Sequence, residues 1–222
     1  MMACLYLADL TRPMIGQTLD KLDSPQLLLD LDLVDSNLAL MQEACRKLRV
    51  NLRVHFKSLK CGGLARYLKS KGIESFLCAK LNEAETLRSA GIRDIFIANE
   101  IVGLQKLNRV AELAKVARVS VCVDDAENIS ALGLAAQRAG VAVGALIEVD
   151  IGMRRCGVEP GEPAVALAQR IASTPGLEFR GLQGYDGHIQ MLPDAVERRK
   201  KCLAAFRDCA RKAWPLRGSW AG

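Results

Sequence analysis

The stretch that decides the fold is Arg53-Val54-His55-Phe56-Lys57-Ser58-Leu59-Lys60. Residues 50–56 alternate apolar and polar side chains as a β-strand does, and a segment of helical pattern begins at residues 61–63. Lys57 therefore follows an early strand, where barrel enzymes carry their catalytic groups. An amine in that position can form a Schiff base. A lysine near a strand end is more often only a solvated cation, so position alone leaves both readings open.

The alternation of strand and helix extends in both directions from this stretch. Before it, residues 26–33 have the pattern of a strand, and residues 34–48 place apolar side chains at helical spacing, with Asp35 or Ser36 as the expected cap. After it, the pattern predicts strands at residues 74–79, 94–98, 118–123, 144–150 and 179–185. Helices are predicted between these strands, for example at residues 81–90 and 125–139, each followed by a glycine suited to a helix end.

The repeated units predict the fold class. Strand-helix repeats imply parallel strands, and the strands at residues 119–123 and 145–149 are mostly apolar, as expected when protein covers both faces. An open doubly wound sheet and a (β/α) barrel both fit. No GxGxxG motif follows a strand, which favours the barrel. Counting from the strand before Lys57 gives six units, whereas a closed barrel needs about eight, so we expect an incomplete α/β barrel of the TIM type.

Cysteine usage and the amino terminus bear on location. The eight cysteines are scattered without a CxxC pair, which predicts reduced thiols of a cytoplasmic protein. With two histidines, His55 and His188, the chain is not expected to contain a metal site. Residues 1–10 are apolar but interrupted by Asp9 and lack preceding basic residues, so neither a secretory signal nor a membrane span is predicted.

The positive charge is concentrated near the end of the chain. Of the net charge of +6, residues 194–222 contribute +5, from eight Lys or Arg and three acidic residues. A basic helix without interleaved aromatic side chains is typical of a solvated face. Nucleic acid is therefore not an expected partner. Asp194 with Glu197 forms a capping box for that last helix, and Pro163 suits the first turn of the helix before it.

Polar residues gather where the predicted strands end. In a parallel barrel these ends open onto one face, so residues distant in the sequence should converge there. The residues in question are His55, Lys57, Lys80, Asn99, Glu100, Asp124, Glu148, Asp150, Gln183 and Tyr185.

Two further clusters have both a functional and a structural interpretation. In the first, at residues 148–157, an arginine beside a cofactor can hold a carboxylate or stabilise an anionic oxygen, but neighbouring charges also form ordinary surface ion pairs. The second, at residues 183–188, combines loop glycines with Tyr185, which can stack on a flat ring, and His188, which titrates near neutrality. An ordinary turn would explain it equally well.

Six runs of the sequence, taken in order, carry a resemblance to a known family. The runs are Ser24-Pro25-Gln26-Leu27-Leu28-Leu29-Asp30-Leu31-Asp32, Arg53-Val54-His55-Phe56-Lys57, Cys78-Ala79-Lys80 with Glu83-Ala84-Glu85, Ile97-Ala98-Asn99-Glu100, Glu148-Val149-Asp150-Ile151-Gly152-Met153 with Arg155-Cys156-Gly157-Val158, and Gly184-Tyr185-Asp186-Gly187-His188. Together they resemble the D-threonine aldolase and D-serine dehydratase family. The likeness extends from about Ser24 to the last helix, and the loop ending in Tyr185-Asp186-Gly187-His188 is most similar to the 3-hydroxy-D-aspartate aldolase branch.

The resemblance implies a fold, a cofactor and site residues. The fold is the alanine racemase type of barrel, and the cofactor is pyridoxal 5'-phosphate, carried by Lys57 as an internal aldimine. His55 is expected to act beside Lys57 in catalysis. Arg155, Tyr185 and, with weaker support, Gln183 are expected to line the cofactor pocket, with Arg155 contacting the ring. Leu59 stands where family members usually have a histidine, a departure expected to weaken proton handling near the lysine.

The resemblance also implies a domain plan. Residues 1–23 are expected to be an irregular segment, residues 24–213 a partial barrel and residues 214–222 an atypical tail. The family's phosphate-gripping loop and its C-terminal β-domain, which supplies the ligands of a divalent metal, have no expected counterpart in this chain. No metal-ligating residue is therefore predicted here, and a homodimer is compatible with the pattern.

Three functions follow as hypotheses. The first is a lyase that cleaves D-3-hydroxy amino acids, of the D-threonine or 3-hydroxyaspartate type, into glycine and an aldehyde or glyoxylate. The second is a dehydratase acting on a D-serine-like substrate, or a racemase-like relative. The third is a barrel that binds the cofactor without turnover, or an incomplete, inactive product. The first two take a small D-amino acid as substrate.

Overall fold

The computed structural model describes residues 16, 18–25 and 27–212. The chain divides into two compact units, Met1–Asn51 and Leu52–Gly222. In the first unit the described residues form a short 3-10 helix, Leu19–Lys21, and helix α1, Leu31–Leu48.

The start of α1 differs from the prediction. Asp30 caps the helix, since its Oδ1 accepts hydrogen bonds from the backbone N–H groups of Asp32 (2.9 Å) and Leu33 (3.1 Å). The strand expected at residues 26–33 is therefore wrong: residues 27–30 have no regular secondary structure, residues 31–33 are helical, and residue 26 lies outside the described residues. The helix forms in place of the predicted strand because the Asp30 side chain pairs with two backbone N–H groups that otherwise have no partner at a helix start.

Over residues 52–212, the second unit alternates strands with one or two helices. Its strands are β1 (Val54–His55), β2 (Ser75–Cys78), β3 (Asp94–Glu100), β4 (Arg118–Val123), β5 (Val143–Val149) and β6 (Leu177–Gly184). Its helices are α2 (Phe56–Leu59), α3 (Gly62–Ser70), α4 (Leu81–Ser89), α5 (Leu104–Ala114), α6 (Ala126–Ala139), α7 (Glu162–Ala172), α8 (Gly187–Gln190) and α9 (Ala195–Lys212).

The six strands form one sheet in the order β1-β2-β3-β4-β5-β6, and every neighbouring pair is parallel. This confirms the prediction of six strand-helix units in an incomplete barrel. Along β5, Val143, Ala145, Ile147 and Val149 are buried at alternate positions. Because side chains alternate across a strand, Leu146 and Glu148 point to the opposite face, which is the interior face of a barrel.

The first strand is shorter than expected. The strand predicted over residues 50–56 comprises only Val54–His55, and Phe56 already begins helix α2. His55 caps this helix, because its Nδ1 accepts a hydrogen bond from the backbone N–H of Lys57 at 3.3 Å. Lys57 therefore lies in the first turn after the strand.

Several predicted helix ends are confirmed. Asp125 caps α6 through a 2.8 Å hydrogen bond from the backbone N–H of Asn128, and Gly140 ends that helix in the left-handed conformation. The Asp194 carboxylate accepts from the backbone N–H of Glu197 at the start of α9. Pro163 lies in the first turn of α7. The predicted tail, residues 214–222, lies outside the described residues.

Two expectations about location and chemistry can be compared with the structure. The cysteines within the described residues are all free, and two of them, Cys78 and Cys122, are buried. Across residues 16, 18–25 and 27–212, none of the helices has the length and hydropathy needed to cross a membrane.

Candidate active site

Six of the ten residues predicted at the strand ends line one cleft at the carboxyl edge of the sheet. The cleft has a volume of about 150 Å³. Its walls are formed by His55, Lys57, Leu77, Ala79, Ala98, Asn99, Glu148, Arg155, Gln183 and Tyr185. All five residues predicted to act in catalysis or cofactor binding are therefore among those that line it.

Two cationic side chains approach the ring of Tyr185. The Nζ atom of Lys57 is 5.7 Å from the centroid of the Tyr185 ring, and Cζ of Arg155 is 5.1 Å from the same centroid. Both separations are within the range of a cation–π contact. The three residues come from separate segments that follow β1, β5 and β6, so only the assembly of the parallel sheet brings them together.

A glycine makes room for the Tyr185 ring. A Cβ atom built on Gly187 would overlap the ring carbons of Tyr185. Any larger residue at this position would therefore displace the ring from the two cations.

Arg155 is carried by a loop that folds back along β5. The backbone N–H of Asp150 donates to the carbonyl of Val158 (2.9 Å), and the N–H of Val158 donates to the carbonyl of Glu148 (3.0 Å). Gly157 allows this close approach: its φ is +93°, and a Cβ there would lie 2.9 Å from backbone atoms of Asp150 and Glu148. The loop is thus pinned at both ends, with Arg155 between them.

Asp150 stabilises the same loop from inside. Its Oδ1 accepts hydrogen bonds from the backbone N–H groups of Gly152 (2.8 Å) and Arg154 (3.0 Å). These bonds, that of Arg154 foremost, lower the pKa of the Asp150 carboxyl. Asp150 was predicted as a polar residue at a strand end, and the structure gives it a structural role there.

His55 is held as a neutral imidazole. Burial first, and then the charge of Lys57, lower the pKa of His55, while a hydrogen bond to the Leu77 backbone opposes the shift. Because Nδ1 accepts from the Lys57 N–H, this nitrogen carries no proton. In this geometry His55 orients the backbone at Lys57, and its predicted catalytic role stays a prediction.

Glu148 is a predicted strand-end residue whose burial the sequence did not indicate. Its side chain faces the cleft, yet the residue is only 5% exposed. Burial raises the pKa of the Glu148 carboxyl, as do the charges of Glu100 and Asp124, against a thiol hydrogen bond from Cys122 and the charge of Arg155. Its position at a strand end was visible in the sequence, but its burial was not.

Other predicted residues lie outside the cleft. Lys80 and His188 are exposed, and neither lines the cleft. The Asp124 carboxylate is occupied by the backbone N–H of Gly157 at 2.9 Å. Gln183 does line the cleft, and its Nε2 donates weakly to the Gly184 carbonyl at 3.4 Å.

With the fold and cleft described, the family can be stated. The profile of the alanine racemase N-terminal domain matches residues 29–219. The chain belongs to this family, which confirms the resemblance found in the sequence.

Two individual proteins are similar to this chain in sequence. The chain is 41% identical over 204 residues to D-threonine aldolase from Arthrobacter sp., covering 92% of this chain and 54% of that protein. It is 35% identical over 193 residues to 3-hydroxy-D-aspartate aldolase from Paracoccus denitrificans, covering 86% of this chain and 50% of the relative. The chain thus spans about half the length of these relatives.

A solved structure agrees with this comparison. The crystal structure of D-threonine aldolase from Filomicrobium marinum superposes with a TM-score of 0.88 at 42% identity, over 91% of this chain and 55% of that one. D-threo-3-hydroxyaspartate dehydratase from Delftia sp. HT23 superposes with a TM-score of 0.80 at 26% identity, over 92% of this chain and 54% of that one.

Proposed function

We propose that this chain is the barrel part of a pyridoxal 5'-phosphate-dependent lyase that cleaves D-3-hydroxy amino acids by a retro-aldol reaction. The products are glycine and an aldehyde, or glyoxylate from 3-hydroxyaspartate. The observation that carries the proposal is the approach of Lys57 Nζ and Arg155 to one aromatic ring in the cleft. The likeness to two aldolases of this type supports the choice of reaction.

The residues of the cleft fit the aldehyde and ring of this cofactor. An aldehyde needs a primary amine, and Lys57 supplies one at the edge of the sheet. A flat, electron-withdrawing ring suits an environment with an aromatic side chain and a guanidinium group, which Tyr185 and Arg155 supply. Gln183 adds an amide that can donate or accept.

When bound, the cofactor supplies an electron sink for the electron pair left on Cα when the Cα–Cβ bond breaks. The residues of the chain have the remaining tasks. Lys57 would hold the cofactor through its primary amine, and the same amine would move a proton during the reaction. His55 holds the backbone at Lys57 through its Nδ1. Arg155 holds the ring in the cleft and balances negative charge on it.

The proposal also includes a divalent metal ion, which would supply Lewis-acid chemistry at the β-hydroxyl group. The resemblance to the family suggests this ion. Within the described residues, no group of three or more His, Cys, Asp or Glu is arranged to hold a metal ion. The dependence of activity on a divalent metal is therefore tested by adding the ion and by removing it with a chelator.

Cofactor binding is the first test. Adding pyridoxal phosphate to the chain should produce an absorbance band near the edge of the visible range, and Lys57→Ala should abolish it because no other cleft residue in the described chain carries a primary amine. Lys80→Ala is the matched control, since Lys80 also follows a strand but is exposed outside the cleft. A band that survives in Lys57→Ala would refute the assignment.

Products decide between the lyase and its alternative. Incubation with D-threonine or D-3-hydroxyaspartate, cofactor and a divalent metal should release glycine. Ammonia and a 2-oxo acid would instead indicate the dehydratase, which the likeness to the Delftia enzyme supports at lower identity. Cofactor binding without either product would favour the barrel without turnover.

The remaining expectations about the protein are proposals of the same kind. We infer a cytoplasmic location from the reduced cysteines. A small D-amino acid is the expected partner, and nucleic acid is not. Measurement of the molar mass in solution would test the homodimer.

A further inference from the structure

The side chain of Asn99 faces the cleft, although the regular geometry of β3 would direct it to the other side of the sheet. Successive side chains of a strand point to opposite faces, and Ile97 lies fully buried on the outer face. By this alternation Ala98 faces the cleft and Asn99 does not. Both residues nevertheless line it.

An irregularity in the sheet accounts for the direction of Asn99. Along β3 and β4, Ile97 pairs with Val121, and the next pair is Glu100 with Cys122. The two residues between them on β3 therefore have no partner on β4. Irregularities of this kind redirect side chains and are common beside active sites. We attribute the position of Asn99 in the cleft to this break in the pairing.

A hydrogen bond to the neighbouring strand end fixes the Asn99 amide. Its Nδ2 donates to the backbone carbonyl of Ala79, the residue after β2, at 3.1 Å. Ala79 is itself held by the buried Glu83, whose Oε2 accepts from the backbone N–H groups of Ala79 (2.9 Å) and Lys80 (3.3 Å). The amide is thus attached to a backbone segment that is fixed on both sides.

The Asn99 amide keeps groups that a ligand can use. A side-chain amide has two N–H groups and one oxygen acceptor, and the bond to Ala79 uses one N–H. The other amide of the cleft, that of Gln183, donates to the adjacent Gly184 carbonyl at 3.4 Å, a longer bond that orients it less firmly. Asn99 is therefore the better oriented of the two amides.

Pyridoxal phosphate carries a group that matches this amide. Its ring has an oxygen on the carbon next to the one that bears the aldehyde. When Lys57 holds the aldehyde, this oxygen therefore lies close to Lys57 Nζ, in the cleft that Asn99 also lines. A hydrogen bond from an N–H group to an ionised oxygen is stronger than one between neutral groups. Asn99 can supply this N–H while Arg155 contacts the ring.

We propose that Asn99 binds the cofactor by donating its second amide hydrogen to the ring oxygen beside the aldehyde, and that this contact sets the orientation of the ring in the cleft. The inference rests on the proposed function, because it takes Lys57 as the residue that holds the cofactor. The bond to Ala79 positions the amide before the cofactor arrives, so little order has to be gained on binding.

The test combines a variant with a cofactor analogue that lacks the ring oxygen, 3-deoxypyridoxal 5'-phosphate. By equilibrium dialysis, Asn99→Ala should weaken the binding of pyridoxal phosphate about tenfold and that of the analogue less than about twofold. Loss of the amide and loss of the oxygen should therefore not be additive. Asn99→Asp should bind pyridoxal phosphate at least as weakly as Asn99→Ala, because an ionised carboxylate accepts hydrogen bonds only.

Asn128 provides the matched control. Its Nδ2 donates to the backbone carbonyl of Ile101 at 2.8 Å, so Asn128→Ala removes the same kind of hydrogen bond. The residue does not line the cleft. This variant should bind both compounds as the wild type does. Circular dichroism of each variant checks that it is folded.

The outcomes separate this inference from the proposed function. Equal losses of affinity for pyridoxal phosphate and the analogue in Asn99→Ala would overturn the inference, because a loosened cleft wall weakens any ligand. Wild-type affinity in Asn99→Ala would overturn it too, as would discrimination lost in Gln183→Ala and kept in Asn99→Ala. In each of these cases a Lys57-dependent absorbance band leaves the proposed function intact, whereas its absence from the wild type refutes both.

Discussion

Charged side chains have different surroundings at the two ends of the sheet: they are paired at the amino end and incompletely paired at the carboxyl end. At the amino end, Arg53 holds Asp94 with two hydrogen bonds (2.8 and 3.2 Å), Arg118 approaches the same carboxylate at 3.8 Å, and Arg180 pairs with Glu178. At the carboxyl end, the cleft contains a buried carboxyl and, next to it, a buried oxygen of Glu100 without a partner in the described chain. Paired charges at one end and incompletely satisfied ones at the other are typical of a structural and a functional edge.

The largest effect should come from the loop that carries Arg155. Gly157→Ala forces a Cβ to within 2.9 Å of the Asp150 and Glu148 backbone at a φ of +93°. We expect a loss of about 3 kcal/mol in the free energy of unfolding, because backbone atoms cannot move aside as a side chain can. Urea unfolding measures it.

A second glycine serves as the control for this prediction. Gly103 has a similar φ of +97°, but a Cβ there would meet nothing within 4 Å. Gly103→Ala should therefore cost only the conformational strain, about 1 kcal/mol. Equal losses in the free energy of unfolding in both variants would contradict the prediction, because they would show that the close approach of the loop to β5 adds no steric cost at Gly157.

The next effect concerns arginine at the two ends. Arg155→Lys should weaken pyridoxal phosphate binding about tenfold, because an ammonium group cannot replace the planar contact that the guanidinium makes. Arg118→Lys changes the same residue type at the amino end and should leave the affinity unaltered. Absorbance titration measures both constants. Similar losses would contradict a division of roles between the two ends.

At the amino end, a smaller effect on stability is expected. Asp94→Asn removes the charge that Arg53 and Arg118 share, and it should lower the free energy of unfolding by about 1 kcal/mol, since the pairs are partly exposed. The loss should shrink in high salt. Urea unfolding at two ionic strengths checks this, and a loss independent of salt would indicate packing and not charge.

The smallest effect is the pH dependence from His55. Its pKa in the folded chain is lowered from an ordinary value of 6.5, so protonation favours the unfolded state. The contribution of neutral His55 to the free energy of unfolding is complete above pH 6.5, and it is lost as the pH falls toward the pKa of His55 in the folded chain. His55→Asn keeps a capping acceptor but does not titrate, so the wild type should lose more stability than the variant on acidification. Parallel curves would exclude His55 as the cause.

Local patterns predicted much of the fold. Asp125 and Gly140 marked the ends of α6, and mostly apolar runs located β4 and β5. The errors fell where two local signals competed. Asp30 started a helix inside an apolar run, and His55 capped a helix inside the residues predicted as a strand, since each side chain satisfies a backbone N–H that the pattern does not report.

For the cleft, residue types were predictable and their environments were not. Lys57, Arg155, Gln183 and Tyr185 were singled out by chemistry, position and resemblance, and all four line it. Lys80 is also a polar residue at the end of a predicted strand, but it lies outside the cleft. Which strand-end side chain turns inward depends on the pleat and on the turn that follows, and neither is local to the residue.

The amino-acid sequence by itself determined the order of strands and helices, the parallel sheet and the chemical groups available at its carboxyl edge, because periodicity and capping are properties of short segments. Only the tertiary structure decided that Lys57 and Arg155 both approach the Tyr185 ring and that Glu148 is buried. Contacts between residues far apart in the chain, and the desolvation that comes with them, arise only when the strands assemble.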